Sequence, residues 1–450
     1  MAHMDLRGNP CSTGSDAARE AAEKALWRMM SFYHPPLADL DAAIEADPGW
    51  TLPHLMKAGF VLSLTEPGLQ DEARQHLAQA RALSDAATAR ERAHLEALEL
   101  LIEGRWHAAC RVWDALLVDH PRDALALQWA HLWDFYRGDS ASLRLRPARA
   151  LPEWDSADPL HPYVLGLYAF GLEECNLHGA AEEAGRQALE SEPRSPWAVH
   201  AVTHVMEMQG RFEAGSAWLR EHRPQWAGGN GFACHLWWHK ALFRLEAMDS
   251  AGALRLFDGH LSGDAMQITL NRVDAVSLLW RLHLLGENIG TRCQALLASW
   301  PLDDAQAGHY AFNDLHIVLA LIAAGEVGRA EAWLARCAER ALNPADVCRS
   351  NHLMAREVGL PLMRGMLAMA RGDASGAADL LAPVRPQLQR LGGSHAQRDL
   401  IDQSLLACAV RGGRPSLGRA LLNERRMAKA TTPLTRYWID SLGCANEARA

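Results

Sequence analysis

Residues 273–301, VDAVSLLWRLHLLGENIGTRCQALLASWP, carry the pattern that decides the fold. The residues before Gly286 have the apolar periodicity of a helix, and those after it form a second helical run, rich in Ala and Leu, that Pro301 stops. Glycine is typical of a tight turn between closely packed helices, because it adopts positive φ without steric cost. This stretch therefore predicts two antiparallel helices joined by a short turn.

The same pattern recurs through most of the chain. Its other turns are predicted at Gly104, Gly138, Gly179, Gly210, Asp249, Gly325, Gly372 and Gly412. Their spacing of roughly 30 to 47 residues is typical of tetratricopeptide-like helix pairs. Alternating Val-, Ile- and Thr-rich segments, which predict strands, are missing. The sequence thus predicts an all-α fold, a superhelical array of antiparallel helix pairs or tetratricopeptide-like α-solenoid, with no β-sheet.

Four segments are expected along the chain. Residues 1–16 are predicted to be a disordered N-terminal segment that begins with MAHM, which resembles a tag remnant. Residues 17–143 would hold the N-terminal helical repeats, and residues 164–450 the C-terminal repeats with a His-rich inner face. The Pro-rich connection between them, residues 144–163, is predicted to be a long surface loop, because residues before proline are biased away from the helix.

Composition narrows the class of partner. The formal charge of -9 and the lack of a long basic run argue against nucleic acid, and no apolar run is long enough for a membrane span. The nine cysteines form no C-x-x-C pair, so reduced thiols and a cytoplasmic location are expected. The expected partner is a small molecule or a peptide, and a homodimer is left open.

The first helices of successive pairs line the concave surface of such an array, so their polar side chains are candidate binding groups. His200 and His239 each lie ten residues before a predicted turn, and Glu207 and Glu246 each lie three before it. Equivalent positions stack on neighbouring helices, which predicts one shared interior cavity. The proposed catalytic residues are His200, His239 and Asp274, and the proposed ligand-binding residues are Trp197, His204, His235, Trp238, Asp314, His316, Arg398 and Asp399.

Three interpretations of these histidines stay open. Two histidines four residues apart on a helix form a two-ligand face for a divalent metal, although Ala201 replaces the Glu that the zincin signature requires after His200. A histidine and a carboxylate also form a metal-free acid/base pair. In the third interpretation the histidines only pack between helices. No metal ligand and no cofactor are assigned, and a divalent metal is left as an alternative.

Five sequence segments, HAVTHVMEMQGRFEAGSAWL, HLWWHKALFRLE, VDAVSLLWRLHLLG, FNDLHIVLAL and GGSHAQRD, resemble the tetratricopeptide repeat protein 38 family. The resemblance extends from about Trp27 to Trp438 and implies a helical-repeat superhelix, without an activity or catalytic residues to carry over. The expected function is binding of a small polar organic ligand or peptide in an enclosed cavity lined by His and Trp. The alternative is an enzyme of hydrolase or lyase type that uses His and carboxylate groups, with or without a divalent metal.

Overall fold

The computed structural model describes residues 3–303 and 306–447, and helices dominate them. Two compact units make up the chain. The first comprises Met1–Val202, His222–Ala233 and Cys348–Ser350, and the second comprises Thr203–Glu221, Cys234–Val347 and Asn351–Ala450. The division falls inside one helix, between Val202 and Thr203, and not at the Pro-rich connection where the sequence analysis places a boundary.

The helices follow one another with short connections. In chain order they are α1 (Asp16–Ser31), α2 (Leu37–Ala46), α3 (Thr51–Ser63), α4 (Gln70–Ala82), α5 (Ala89–Ile102), α6 (Trp106–Asp119), α7 (Ala124–Arg137), α8 (Ser140–Ala150), α9 (His161–Glu173), α10 (His178–Ser191), α11 (Pro196–Met208), α12 (Phe212–Glu221), α13 (Arg223–Trp226), α14 (Ala233–Glu246), α15 (Ser250–His260), α16 (Thr269–Leu284), α17 (Gly290–Ala298), α18 (Ala311–Ala323), α19 (Val327–Ala341), α20 (Ser350–Met354), α21 (Leu360–Ala370), α22 (Ala374–Leu381), α23 (His395–Arg411), α24 (Pro415–Ala428) and α25 (Pro433–Glu447). A π-helical turn, Ala355–Gly359, joins α20 to α21. Short 3₁₀ turns lie at Pro67–Leu69, Leu151–Glu153, Gly263–Gln267, Pro344–Asp346 and Arg385–Leu391.

Consecutive helices pack as pairs, as the sequence predicts: α5 with α6, α9 with α10, α18 with α19 and α21 with α22. Predicted turn glycines at 104, 138, 210, 286, 325 and 372 all have positive φ. At three turns a neighbouring residue adopts positive φ instead, namely Asn176, Met248 and Gly413. The all-α, tetratricopeptide-like array of helix pairs is therefore confirmed, with those three turns displaced by one to three residues.

Aspartates begin several of the second helices. The side chains of Asp139, Asp249 and Asp373 each accept a hydrogen bond from the backbone N–H three residues later, at 2.8–3.0 Å. These bonds satisfy N–H groups that have no partner within the helix. A turn residue followed by Asp is therefore a local signal for where these three second helices begin.

The N-terminal segment is ordered where the structure describes it, contrary to the predicted disorder. Strands β1 (His3–Met4) and β2 (Pro10–Cys11) form an antiparallel hairpin, which also departs from the predicted absence of a sheet. The carboxylate of Asp5 accepts from the backbone N–H groups of Arg7 and Asn9, and the buried Arg7 side chain donates to Glu23 at 2.7 Å. These polar anchors explain the order, and hydrophobic periodicity does not reveal them.

The Pro-rich connection is mostly helical, so the predicted long loop is a much shorter one. Helix α8 runs through Pro147, and α9 begins with Pro162 in its first turn, where a missing N–H costs nothing. The side chain of Arg146 is buried and bonds Asp134 and Asp114, which holds α8 in place despite its proline. Pro147 cannot donate to the carbonyl of Leu143, which lies against Gly171 of α9.

The last helix pair of the second unit returns to the first helices of the same unit. The backbone N–H of Ala430, between α24 and α25, donates to the carbonyl of Gln209 at 3.2 Å. Glu246 at the end of α14 accepts from Thr432, Lys429 and Arg425. These contacts tie the C-terminal helix pair to α11 and α14. Among the described helices, none has both the length and the hydropathy that a bilayer span requires.

Candidate functional site

Two histidines of α14 each bond a carboxylate from a neighbouring helix. His235 Nδ1 lies 2.6 Å from Asp274 Oδ2 of α16, and His239 Nδ1 lies 2.9 Å from Glu207 Oε2 of α11. The remaining ring nitrogens of these histidines, the two Nε2 atoms, lie 3.2 Å apart. Glu207, His239, His235 and Asp274 therefore form one continuous row of polar contacts, called here the imidazole–carboxylate chain.

The helical register explains this arrangement. His235 and His239 are one turn apart and so project from the same side of α14. Asp274 lies near the start of α16, level with His235 near the start of α14, and Glu207 lies in the last turn of α11. The first helices of three consecutive pairs thus contribute to the imidazole–carboxylate chain. The predicted association of His235 and His239 with Asp274 is present.

His204 lies beside the imidazole–carboxylate chain. Its ring centroid is 4.5 Å from that of His239, and His204 and His239 are both fully buried. His204, His235 and His239 each offer a ring nitrogen, and these nitrogens lie within 4.8 Å of one another. Three imidazoles and two carboxylates therefore occupy a small volume of the second unit, within reach of a single small ligand or ion.

A polar residue of α23 holds the Asp274 end of the chain. Gln397 Nε2 donates to Asp274 Oδ1 at 3.1 Å. Gln397 is also part of the capping box of α23, in which Ser394 accepts from the Gln397 N–H and the Gln397 side chain accepts from the Ser394 N–H. Both oxygens of Asp274 are thus engaged, one by His235 and one by Gln397, which fixes the carboxylate.

Arg281 and Trp238 form an adjoining layer. Trp238 Nε1 donates to Ser277 Oγ at 3.0 Å, and the Trp238 ring stacks on His235 with centroids 5.1 Å apart. Arg281 is buried and lies over the Trp238 ring at 5.8 Å. Its guanidinium donates to Ser277 Oγ at 2.8 Å and to the carbonyl of Ala396 at 2.6 Å. These acceptors are uncharged, so the buried Arg281 guanidinium places a positive charge next to the imidazole–carboxylate chain.

His316 of α18 is buried in the same unit. Its Nδ1 donates to the carbonyl of Phe312 at 2.8 Å, which requires the proton on Nδ1 and leaves Nε2 as an acceptor. Burial lowers the pKa of His316 to about 4, and the charges of Asp274 and Arg281 both act on it. His316 is therefore neutral near pH 7 and lies within the electrostatic reach of the chain.

Burial favours the neutral forms at the Glu207 end. It raises the pKa of Glu207 to about 7, although the charges of His204, Lys429 and Arg281 oppose that rise. Burial also holds the pKa of His239 well below its usual range, as do the neighbouring His204, His235 and Arg281. The pair is thus held in a water-poor environment that disfavours charge.

Three predicted ligand-binding residues have other partners. Asp314 accepts from Trp333 Nε1 of α19 at 3.0 Å and from the Gly308 N–H at 3.1 Å, and burial raises its pKa to about 6. Arg398 donates to the carbonyl of Gly393. Asp399 bonds Arg425 of α24 and accepts from Gln403 Nε2 at 2.7 Å. For these three the structure shows helix-to-helix and local contacts.

His200 and Trp197 belong to the first unit. Their ring centroids are 5.8 Å apart, and both contact Phe170 and Phe232 at centroid distances of 4.8–5.4 Å. Both side chains are buried. Within the first unit these two predicted site residues are thus part of an aromatic cluster.

Three contributors are absent from the predicted set: Glu207, Arg281 and Gln397. Glu207 has a usable signal, because it shares its position relative to the turn with Glu246. Arg281 interrupts the apolar run SLLWRLHLL, and a charged residue on a buried helix is a signal in itself. Gln397 follows Ser394 by three residues, which predicts a capping box but not the bond to Asp274.

No family model matches the chain. Among solved structures, a chain of the one described as "Structure of Naa15/Naa10 bound to HypK-THB" is similar to it, with 12% sequence identity over 96% of this chain and 73% of that chain and a TM-score of 0.21. That likeness carries no argument about function. The helix pairs and their turns support the helical-repeat assignment on their own.

Proposed function

We propose that the second unit of this helical-repeat protein binds a small polar organic molecule at the imidazole–carboxylate chain. One observation carries the proposal: Glu207, His239, His235 and Asp274 are joined in an interior row where a repeat scaffold needs only apolar packing. Membership of the tetratricopeptide repeat protein 38 family and a peptide as ligand are finer proposals that rest on the sequence alone.

The free-energy cost of burying the imidazole–carboxylate chain supports a binding role. Polar groups in a protein interior are costly unless they are fully paired, and apolar residues of similar volume are often more stabilising. The rise in the pKa of Glu207 to about 7 corresponds to on the order of 3 kcal/mol against its ionised form. Residues that cost stability in this way are typical of sites that bind or react.

The solvent exposure of the four side chains in the imidazole–carboxylate chain indicates the side from which a ligand arrives. The His235 side chain is 14% exposed, whereas those of Asp274, Glu207 and His239 are 3%, 6% and 0% exposed. A ligand would therefore meet His235 first. Arg281 adds a buried positive charge in the adjoining layer, which favours a ligand with a carboxylate or another anionic group.

Enzymatic turnover is the second candidate function. Each imidazole is held at Nδ1 by a carboxylate, an arrangement that orients imidazole for proton transfer in catalytic triads. A hydrolase or lyase activity on the bound molecule would use this geometry. The disappearance of a bound compound over time, against a blank without protein, distinguishes an enzyme from a binding protein.

Thermal shift measurements test the binding proposal. We would incubate metal-free protein with millimolar lactate, malate, citrate, glycine and ethanolamine, and we expect at least one to raise Tm, because a ligand stabilises only the folded state. His235→Ala should lose that shift. His283→Ala, a change in the half-buried tail of α16, is the matched control and should keep it. An unchanged Tm for the wild type with all five probes, or an equal shift in His235→Ala, would contradict the proposal.

A further inference from the structure

The Nε2 atoms of His235 and His239 lie close together, so it matters which of the ring nitrogens carry protons. If Asp274 and Glu207 are ionised and both imidazoles are neutral, each carboxylate accepts a hydrogen bond from an Nδ1–H, so both Nε2 atoms carry lone pairs. Two lone pairs facing each other at 3.2 Å repel. A cation shared between them removes that repulsion, and a metal ion is the sort of cation that neutral imidazole nitrogens bind.

The distances fit such an ion. Zinc–nitrogen bonds are about 2.0–2.1 Å long, so two nitrogens on a tetrahedral zinc lie roughly 3.3 Å apart. The observed separation is 3.2 Å. His204 adds a third imidazole, since one ring nitrogen from each of His204, His235 and His239 lies within 4.8 Å of the others. Three protein ligands leave a fourth position for water.

The carboxylates hold the histidines in the orientation that a metal site requires. Metal-bound histidines almost always donate their other ring N–H to a carboxylate, a carbonyl or water, which fixes the ring and raises its basicity. His235 has Asp274 in that role, and His239 has Glu207. Asp274 is itself fixed by Gln397. The two carboxylates would also balance the double positive charge of the ion inside the protein.

We propose that His204, His235 and His239 bind one divalent transition-metal ion, with zinc as the preferred ion, and that Asp274 and Glu207 position two of the ligands. The inference rests on the proposed binding role of the imidazole–carboxylate chain and names the ion that would sit there. Calcium and magnesium fit this site less well, because they prefer oxygen ligands and the donors here are imidazole nitrogens.

Without a metal, one arrangement of protons also makes every contact in the imidazole–carboxylate chain a hydrogen bond. In it, a neutral Glu207 donates to His239 Nδ1, His239 Nε2–H donates to His235 Nε2, and His235 Nδ1–H donates to Asp274. With these protons, the imidazole–carboxylate chain would keep its geometry and would have no affinity for zinc. The metal proposal and this alternative therefore make opposite predictions for a binding measurement.

Zinc titration of the full chain decides between them. Protein freed of metal with EDTA and dialysed would be titrated with zinc chloride by calorimetry, and its metal content measured by mass spectrometry. We expect one zinc per chain, at least 100-fold weaker binding in His239→Ala and in His235→Ala, and unchanged binding in His283→Ala. Asp274→Asn, which keeps the side-chain volume, should weaken binding about 10- to 100-fold with an unchanged circular-dichroism spectrum.

The outcomes separate this inference from the proposed function. Absence of zinc binding by the wild type, or equal binding by His235→Ala, His239→Ala and His283→Ala, would overturn the metal site. If the histidine variants fail to fold, wild-type stoichiometry and Asp274→Asn still decide the question. The thermal shift test with organic probes uses metal-free protein, so it stands or fails independently of the zinc result.

Discussion

His235 and His239 face each other through their Nε2 atoms at 3.2 Å, and each is held from behind by a carboxylate of a different helix. This relationship couples the two imidazoles through one contact. A change at Asp274 should alter the orientation of the His235 ring. It should therefore also alter the position of His235 Nε2, the atom that His239 faces.

Glu246 should be essential to the second unit. Glu246→Ala would remove the carboxylate partner of the largely buried Lys429 side chain and leave Arg425 with Asp399 alone, so we expect a loss of about 3–5 kcal/mol in the free energy of unfolding. Urea denaturation measures it. Glu331→Ala, which breaks an exposed pair with Arg371, is the control and should cost less than about 1 kcal/mol. Equal losses in the two variants would show that the buried network does not hold the C-terminal helices.

Two glycines of the first unit should respond in opposite ways to alanine. A Cβ at Gly171 would lie 2.3 Å from the carbonyl oxygen of Leu143, and the backbone there cannot rotate away, so Gly171→Ala should lose about 1–3 kcal/mol. At Gly179, in the first turn of α10, nothing lies within 4 Å, and Gly179→Ala should gain up to about 1 kcal/mol. Thermal unfolding of both variants checks the contrast. A tolerated Gly171→Ala would mean that α8 and α9 are not packed this closely.

Acid should destabilise the fold in part through His131. Burial lowers the pKa of His131 from 6.5 to about 3. Above pH 6.5 the ring is neutral in the folded and unfolded chains, but below it only the unfolded chain takes up the proton, so stability falls as the pH drops toward 3. Between pH 6.5 and 4 this amounts to on the order of 3 kcal/mol.

Urea unfolding of His131→Gln at several pH values measures this contribution. Glutamine is expected to preserve a donor for the Leu167 carbonyl, which His131 Nε2 contacts at 3.1 Å, and it does not titrate. The variant should therefore lose less stability than the wild type between pH 6.5 and 4. Parallel curves for the two proteins would show that His131 is not buried as described.

The turns made the fold readable from sequence. Glycines at a regular spacing identify the helix pairs because most of these turns need positive φ, and Asn176 and Met248 displace two turns because non-glycine residues occupy that conformation there. The N-terminal hairpin could not be predicted, since it depends on polar contacts of Asp5 and Arg7. Helix α8 was missed because a buried Arg146 outweighs the helix-breaking tendency of Pro147.

The site was only partly predictable for a different reason. Register along a helix predicts the level of a side chain, and His235, His239 and Asp274, which it places at neighbouring levels, do lie together. It does not predict which partner a side chain selects at that level. Asp314 bonds Trp333 and Asp399 bonds Arg425, and neither bond follows from spacing.

Anomalous diffraction is the most direct test of the proposed metal site at the imidazole–carboxylate chain. Crystals of the protein grown with zinc chloride would be measured on both sides of the zinc absorption edge. We expect one strong anomalous peak about 2.0–2.1 Å from the Nε2 atoms of His235 and His239, with a nitrogen of His204 as third ligand. An anomalous map without a peak between these two imidazoles, in crystals where the protein had access to zinc, would contradict it.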